Sequence, residues 1–322
     1  MDPHGRRLDY LRLAVTDRCN LRCRYCMPAA GIPLTDRDAV LGWEELERLV
    51  ALLVSLGVRK VRVTGGEPLV RRGVSEFLSR LARLPVPPER LLTTNGLLLA
   101  EHLDALQTAG VRRVNVSLDS LRPGTFRRLA RRDGCRRVVA AVDRALAAGL
   151  TVKVNVVVVP GVNDGELSDF VGFIRRRPVT VRFIEPMPFD GGFGDRLPAL
   201  DGDAIVARLR RHADLEPDGH QGVADLYRVP GCAGRLGVIR GHSRTFCGDC
   251  SRLRLDARGR LRTCLYGDVA AELGAALRAG ADDSTLADLV RQAVAGRHPH
   301  GRAAEAARRR RHHRASMAGI GG

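Results

Sequence analysis

The stretch Leu8-Asp9-Tyr10-Leu11-Arg12-Leu13-Ala14-Val15 is a predicted strand, and Cys19-Asn20-Leu21-Arg22-Cys23-Arg24-Tyr25-Cys26 follows its C-terminal end. Three cysteines spaced by three and then two residues (the first trio) can point their sulfur atoms at one centre. Thiolates suit iron–sulfur clusters and zinc. A closed zinc site needs a fourth protein ligand, and the nearest histidine, His4, lies across the predicted strand. The spacing favours a cluster with one open iron, and a zinc knuckle completed by a distant residue is the alternative.

The same unit, a strand followed by a polar loop, repeats along the N-terminal part of the chain. Apolar residues at helical spacing predict helices between the strands. The six predicted strands are Leu8–Val15, Lys60–Thr64, Arg90–Thr94, Val111–Leu118, Leu150–Val159 and Val179–Glu185. This alternation predicts a parallel α/β architecture. A doubly wound sheet and a partial, six-unit β/α barrel both fit it, and the Val-rich fifth strand is expected to be buried on both faces.

Polar motifs follow the predicted strands, where the active sites of β/α barrels lie. Besides the first trio, these motifs are Gly65-Gly66-Glu67-Pro68, Thr93-Thr94-Asn95-Gly96, Ser117-Leu118-Asp119-Ser120 and Glu185-Pro186-Met187-Pro188. The two glycines of the first motif would let a ligand approach the backbone closely. A plain strand-to-helix turn is the alternative explanation of the same two glycines.

The alternation stops after about residue 188, where three glycines indicate a flexible crossing: Gly191, Gly192 and Gly194. We therefore predict two domains, residues 1–190 and 191–322. The second is expected to end in a helix around Leu286 whose N-cap is Ser284 or Thr285. The run Arg308–Arg314 then predicts a solvated, mobile segment.

The second predicted domain contains another cysteine set, separated by two and then thirteen residues: Cys247, Cys250 and Cys264 (the second trio). The spacing fits a second cluster or half of a zinc ribbon, with His242 as a candidate fourth zinc ligand. Arg252 and Arg254 lie two positions apart on a predicted strand, so their side chains share a face. Guanidinium groups suit phosphates, and two solvated charges are the alternative.

The composition predicts a cytoplasmic protein with an anionic ligand. Lysine and arginine number 53 against 36 acidic residues, a net charge of +17, which suits a polyanion or nucleic acid. Only two of these residues are lysines, Lys60 and Lys153, so a lysine is more informative than an arginine. No apolar run could cross a membrane, and no signal peptide is recognisable. In the cytoplasm the cysteines favour metal ligation over disulfides, and the isolated Cys135 and Cys232 are expected to be ordinary thiols.

C-x3-C-x2-C with an aromatic residue before the last cysteine resembles the radical S-adenosylmethionine (SAM) signature. The lead-in Arg12-Leu13-Ala14-Val15-Thr16-Asp17-Arg18 and the second trio resemble one branch, the GTP 3′,8-cyclases of molybdenum cofactor biosynthesis. The resemblance implies a partial β/α barrel with a smaller C-terminal α+β domain, SAM, and one 4Fe–4S cluster on each trio. It implies SAM contacts from Tyr25, Gly66, Ser117 and Met187. It implies GTP contacts from Arg12, Arg62, Thr93, Lys153, Arg252, Leu253 and Arg254, and a catalytic tail, Gly321 and Gly322.

The implied reaction begins with one-electron cleavage of SAM to a 5′-deoxyadenosyl radical, which removes hydrogen from the 3′ carbon of GTP. The resulting carbon radical attacks carbon 8 of the guanine, and reduction then gives (8S)-3′,8-cyclo-7,8-dihydroguanosine 5′-triphosphate. Implied partners are an electron donor and a downstream pterin-forming enzyme, with a homodimer as a candidate assembly and neither nucleic acid nor membrane. Two alternatives stay open. One is a two-cluster radical SAM enzyme that modifies a peptide; such enzymes carry more downstream cysteines. The other is a zinc protein that binds nucleic acid, against which the 4% aromatic content argues.

Overall fold

The computed structural model describes residues 1–187, 200–243, 245–307 and 317–320. Four predicted features lie outside these ranges: the boundary between residues 190 and 191 with its glycines, the Arg308–Arg314 run, Gly321 and Gly322. Within the described ranges, strands from both predicted domains join one 12-stranded sheet. The division into residues 1–190 and 191–322 stays a prediction.

Strands and helices alternate as the apolar periodicity predicts. The described strands are β1 (Tyr10–Ala14), β2 (Lys60–Thr64), β3 (Glu89–Thr94), β4 (Arg113–Ser117), β5 (Thr151–Val157), β6 (Thr180–Ile184), β7 (Glu216–Gln221), β8 (Ala224–Arg228), β9 (Arg235–Ile239), β10 (Arg252–Leu255), β11 (Arg260–Arg262) and β12 (Ala271–Glu272). The described α-helices are α1 (Trp43–Ser55), α2 (Val74–Leu81), α3 (Leu99–Thr108), α4 (Pro123–Ala130), α5 (Cys135–Ala147), α6 (Leu167–Arg175), α7 (Gly202–Arg210), α8 (Leu273–Arg278), α9 (Asp283–Ala295), α10 (Gly301–Ala307) and α11 (Met317–Ile320). The six predicted strands are confirmed as β1 to β6.

The sheet has the order β12-β11-β10-β1-β2-β3-β4-β5-β6-β9-β8-β7, and every pairing from β10 to β9 is parallel. In a flat sheet, β1 and β6 would lie about 24 Å apart, at about 4.8 Å per strand spacing. Yet Arg182 on β6 is close enough to Tyr10 on β1 and Arg252 on β10 for their charges to shift its pKa. The sheet therefore curls, which supports the partial barrel and excludes the flat, doubly wound alternative.

Apolar side chains hold the helices to the outside of the curled sheet. Leu46, Leu49, Val50 and Leu53, the predicted inner face of α1, are all at most 1% exposed. Each such side chain contributes roughly 1.5–3 kcal/mol through burial. None of the helices in the described ranges is long and apolar enough to cross a membrane.

Two local predictions are wrong, each for a physical reason. Strand β5 is not buried on both faces: Val152, Val154 and Val156 are buried, whereas Lys153 and Asn155 alternate with them and line an internal cavity.

Helix α9 is capped by Asp282, not by Ser284 or Thr285. The carboxylate of Asp282 accepts a hydrogen bond from the backbone N–H of Thr285 at 2.8 Å. The helix begins one residue after Asp282, and a carboxylate is favoured at an N-cap.

Candidate active site

The first trio lies in a tight loop that lines the internal cavity, which has a volume of about 450 Å³. Backbone N–H groups of Cys26 and Met27 both donate to the carbonyl of Cys23, at 2.9 and 3.0 Å, and close a turn. All three cysteines line the cavity, and Cys19 and Cys26 are close enough to Cys23 to influence its pKa. Asn95, from the motif after β3, donates its side-chain amide to Asn20 at 2.7 Å and so ties the loop to the barrel.

The C-terminal end of α4 supports the same loop from behind. The N–H groups of Arg22 and Arg24 donate to the carbonyls of Ala130 and Leu129, at 3.0 and 2.9 Å. Arg131 ends the helix in a left-handed conformation, φ 54°, and is the one non-glycine residue with positive φ among the described residues. Its guanidinium donates to the carbonyls of Arg22 and Met27, both at 2.9 Å. These bonds hold the loop and account for the unfavourable backbone conformation.

The electrostatics of the first trio fit a polynuclear metal group. Burial, followed by the proximity of Asp119 and the other two cysteines, raises the pKa of the Cys23 thiol well above its usual range. Burial also raises the pKa of Cys19. Thiolates here would need a strong local positive charge, which iron supplies. In the described parts of the chain, no three His, Cys, Asp or Glu side chains are arranged to hold a metal ion. A 4Fe–4S cluster needs no such convergence, because each thiolate binds a different iron.

Two buried carboxylates flank the first trio. Asp119 accepts a hydrogen bond from the hydroxyl of Tyr25 at 2.7 Å and from the N–H of Val157 at 2.9 Å, and burial raises its pKa to about 6. Glu67 accepts bonds from the hydroxyl of Thr94 and the N–H groups of Asn95 and Leu69; burial raises its pKa to about 7. These carboxylates give this end of the cavity an acidic lining, which suits a cationic ligand group.

The glycines after β2 are needed for a reason that the sequence did not predict. A Cβ atom on Gly65 would lie 2.4 Å from the carbonyl oxygen of Thr16, and one on Gly66 would lie 2.3 Å from that of Arg18. The N–H of Gly66 donates to the Thr16 carbonyl at 2.7 Å. The backbone that approaches closely is thus the chain's own lead-in to the first trio, so the glycines set the position of that loop.

Strand register places three of the predicted nucleotide ligands side by side. Arg12 on β1 pairs with Arg254 on β10 and with Arg62 on β2. We call the cavity region lined by these and further cations the basic chamber: Arg12, Arg62, Arg113, Lys153, Arg182, Arg252 and Arg254. Packing so many cations into one buried space is costly without an anion. The hydroxyl oxygen of Thr93 also lines the cavity, is buried, and has no hydrogen-bond partner among the described residues.

The basic chamber includes residues that the sequence motifs missed. Burial, with Arg62 and Arg252 nearby, lowers the pKa of Arg182 to about 9, and Arg182 donates to Asn155 at 3.0 Å. Burial and the charges of Arg182, Arg113 and Arg62 lower the pKa of Lys153 to about 8. Tyr10 accepts a short hydrogen bond from Arg62. A sequence feature could have indicated them: in β5 and β6, polar residues alternate with apolar ones, so the polar side chains share the face that lines the cavity.

The second trio lies next to the basic chamber. Burial raises the pKa of Cys250, but Arg252, Arg297 and Arg254 outweigh it, so the pKa is lowered overall. Burial raises the pKa of Cys264, with Cys250 and Cys247 close enough to contribute. The three thiols are therefore neighbours, as a shared cluster requires, and Arg252 and Arg254 reach from them into the cavity.

Most of the predicted site residues that the structure describes line this cavity; Leu253 and the three cysteines of the second trio do not. Leu253 is 3% exposed and packs in the core, because it lies on the opposite face of β10 from Arg252. Met187 lines the cavity, and a Cβ on Gly241 would lie 2.9 Å from its sulfur. Helix α11 lies just before the predicted catalytic glycines. Its Met317 lines the cavity, and its Ile320 is buried in a small cluster beside Cys264 and Tyr266.

A cysteine loop after the first strand of a curled parallel sheet defines a radical SAM protein. The profile of the Radical SAM superfamily matches residues 13–174, and that of Molybdenum Cofactor Synthesis C matches residues 179–302. Streptococcus suis SuiB, solved bound to S-adenosylmethionine, shares the fold: TM-score 0.52, 17% identity, 64% of this chain. This chain matches 47% of the SuiB chain.

Relatives of known name show which family within the radical SAM superfamily the chain belongs to. A GTP 3′,8-cyclase of Geobacter sulfurreducens is 44% identical over all of this chain and 99% of its own length, and one of Heliobacterium modesticaldum is 45% identical over 91% and 92%. Molybdenum cofactor biosynthesis protein 1 of Drosophila melanogaster is 43% identical over 91% of this chain and 53% of its own. The chain belongs to the GTP 3′,8-cyclase family, and the radical SAM superfamily implies a 4Fe–4S cluster and SAM.

Proposed function

We propose that this protein converts GTP to (8S)-3′,8-cyclo-7,8-dihydroguanosine 5′-triphosphate, using SAM and two 4Fe–4S clusters. The observation that carries the proposal is one cavity that the first trio lines and whose basic chamber contains Arg252 and Arg254, the arginines whose charges act on Cys250 of the second trio. A triphosphate brings about four negative charges, which the basic chamber offsets. The product would pass to a downstream pterin-forming enzyme.

The acidic end of the cavity would hold SAM. When bound there with a reduced cluster on the first trio, SAM would supply the 5′-deoxyadenosyl radical. Four predicted SAM contacts line the cavity: Tyr25, Gly66, Ser117 and Met187. Asp119 orients Tyr25 by accepting a hydrogen bond from its hydroxyl. Their part is to orient SAM and to exclude water from the reacting atoms.

The basic chamber would hold GTP with its ribose toward SAM. Arg12, Arg62 and Arg254 are register partners on three neighbouring strands, and their guanidinium groups would bind the phosphates. Lys153 and Thr93 add a cation and a hydroxyl that has no partner among the described residues. The guanine would point toward the second trio, whose cluster would bind the base.

The test is anaerobic incubation of the iron-loaded protein with SAM, reductant and either GTP or ATP. We expect 5′-deoxyadenosine and the cyclised nucleotide in equal amounts from GTP, with no cyclised product from ATP. Cyclisation of ATP would contradict the proposal that the cluster of the second trio recognises the guanine base. Release of 5′-deoxyadenosine without cyclised product would favour another radical SAM activity.

A further inference from the structure

A surface rich in arginine lies outside the cavity, on α4, α5 and the turn between them. Residues 122–137 contain seven arginines and one acidic residue, Asp133. Six of these arginines are exposed, and two of the six, Arg122 and Arg137, pair with Asp169 and Glu101. We call the other four the α4–α5 arginine surface: Arg127, Arg128, Arg132 and Arg136. None of them lines the cavity, so they do not belong to the nucleotide site.

These charges are weakly neutralised by the rest of the described chain. Arg127 lies 3.9 Å from Asp133, with side chains 67% and 79% exposed. Such an exposed pair neutralises the charge of Arg127 only weakly, because water screens it. Arg128 and Arg132 donate to the carbonyls of Val162 and Arg131, at 3.0 and 2.9 Å, which leaves their charge uncompensated.

The arginine surface is joined directly to the first trio. Helix α4 accepts backbone hydrogen bonds from Arg22 and Arg24, the residues on either side of Cys23. Arg131, within the same turn, donates to the carbonyls of Arg22 and Met27. No other element lies between the surface and the loop at these contacts. In the proposed function, GTP and SAM occupy the cavity side of this loop, which leaves the α4 side for the arrival of an electron.

We propose that the α4–α5 arginine surface docks an acidic, one-electron carrier protein that reduces the group held by the first trio. The inference rests on the proposed function, which needs one electron for each SAM cleaved. One electron leaves the reduced carrier, which is oxidised by one equivalent, and enters the protein at the first trio. Opposite charges steer such encounters and make them sensitive to salt.

The surface favours an acidic protein over a nucleic acid. The one aromatic residue in the stretch 122–137, Phe126, is buried at 3% exposure. Without an exposed ring, the surface lacks the stacking platforms with which proteins hold single-stranded bases. Charge alone can still attract a polyanion, so RNA serves as a competitor in the test.

The test uses the anaerobically reconstituted holoprotein and a purified flavodoxin of net negative charge as the probe. The triple variant R127E/R128E/R132E is compared with R210E/R211E/R291E, which changes the net charge equally at exposed arginines on and next to α7 and on α9. We expect the first variant to weaken flavodoxin binding at low salt by at least about tenfold, and the second by less than about twofold. Iron content and dithionite-driven 5′-deoxyadenosine release should stay at the wild-type level in both.

Equal binding by wild type and R127E/R128E/R132E would overturn the docking proposal, as would an equal loss in both variants. Tighter binding of a single-stranded RNA than of flavodoxin, lost only in R127E/R128E/R132E, would also overturn it in favour of a nucleic-acid site. Absence of dithionite-driven SAM cleavage in the wild type would instead overturn the proposed function.

Discussion

The guanidinium of Arg6 donates a hydrogen bond to the carbonyl oxygen of Cys247 at 3.1 Å, across 241 residues of sequence. The same group donates to the carbonyls of Pro299 and His298, at 2.6 and 2.7 Å, and pairs with Asp2 at 2.6 Å. Arg297 lies 3.3 Å from Asp2 and donates to the carbonyl of Cys250 at 2.8 Å. The start of the chain thus holds the loop of the second trio.

Replacing Arg6 with alanine should release this loop. The change leaves the buried carboxylate of Asp2 with one guanidinium fewer, and breaking such a buried pair typically costs about 3–5 kcal/mol. We expect the variant to lose the iron of the second trio and to keep that of the first, as measured by iron analysis with SAM cleavage in parallel. Arg7 is exposed, so R7A is the matched control. Full iron content in R6A would contradict this role.

Each trio should account for half of the iron. The anaerobic protein should contain about eight irons per chain, because a 4Fe–4S cluster on each trio gives four. Alanine at the three cysteines of the first trio should remove about half of the iron and all SAM cleavage. The same change in the second trio should remove the other half and impair GTP turnover while SAM cleavage persists. Stoichiometric zinc with no visible absorption would contradict the cluster assignment.

GTP binding should weaken as pH rises through about 8, where the pKa of Lys153 lies. Below this pH the half-buried ammonium is charged and attracts the triphosphate. Above it the free protein has lost that proton and must take it up again to bind, so the dissociation constant rises by up to about tenfold per pH unit. An arginine stays charged to a higher pH than a lysine in the same place, so K153R should give a flatter profile between about pH 7 and 8.5. The same dependence of the GTP dissociation constant on pH in both proteins would show that Lys153 is not the titrating group.

The two terminal glycines should be needed for cyclisation only. They lie outside the described residues, but α11 just before them packs beside Cys264 and places Met317 at the cavity. We expect a chain that ends at Ile320 to keep its iron and its SAM cleavage and to lose nearly all cyclised nucleotide. Both products are quantified together, and a chain with two added C-terminal serines tests whether length alone matters. Normal cyclisation by the shortened chain would show that the tail is dispensable.

Local sequence predicted β1 to β6 and the motifs after them, because periodicity and turn chemistry are properties of neighbouring residues. It could not predict that β9 and β10, close in sequence, extend opposite edges of the sheet. Nor could it find the contact of Arg6 with Cys247, or Arg182 in the basic chamber, since both depend on how distant segments meet. In a chain so rich in arginine, the identity of one arginine carries little information.

In the proposed reaction, the radical formed at the acidic end of the cavity removes hydrogen from the 3′ carbon of GTP bound in the basic chamber. The most direct measurement is an anaerobic turnover with GTP deuterated at the 3′ carbon, followed by mass spectrometry of 5′-deoxyadenosine. We expect 5′-deoxyadenosine to carry the deuterium and the cyclised product to have lost it. Unlabelled 5′-deoxyadenosine, with the deuterium retained in the nucleotide, would show that the hydrogen is taken from another position.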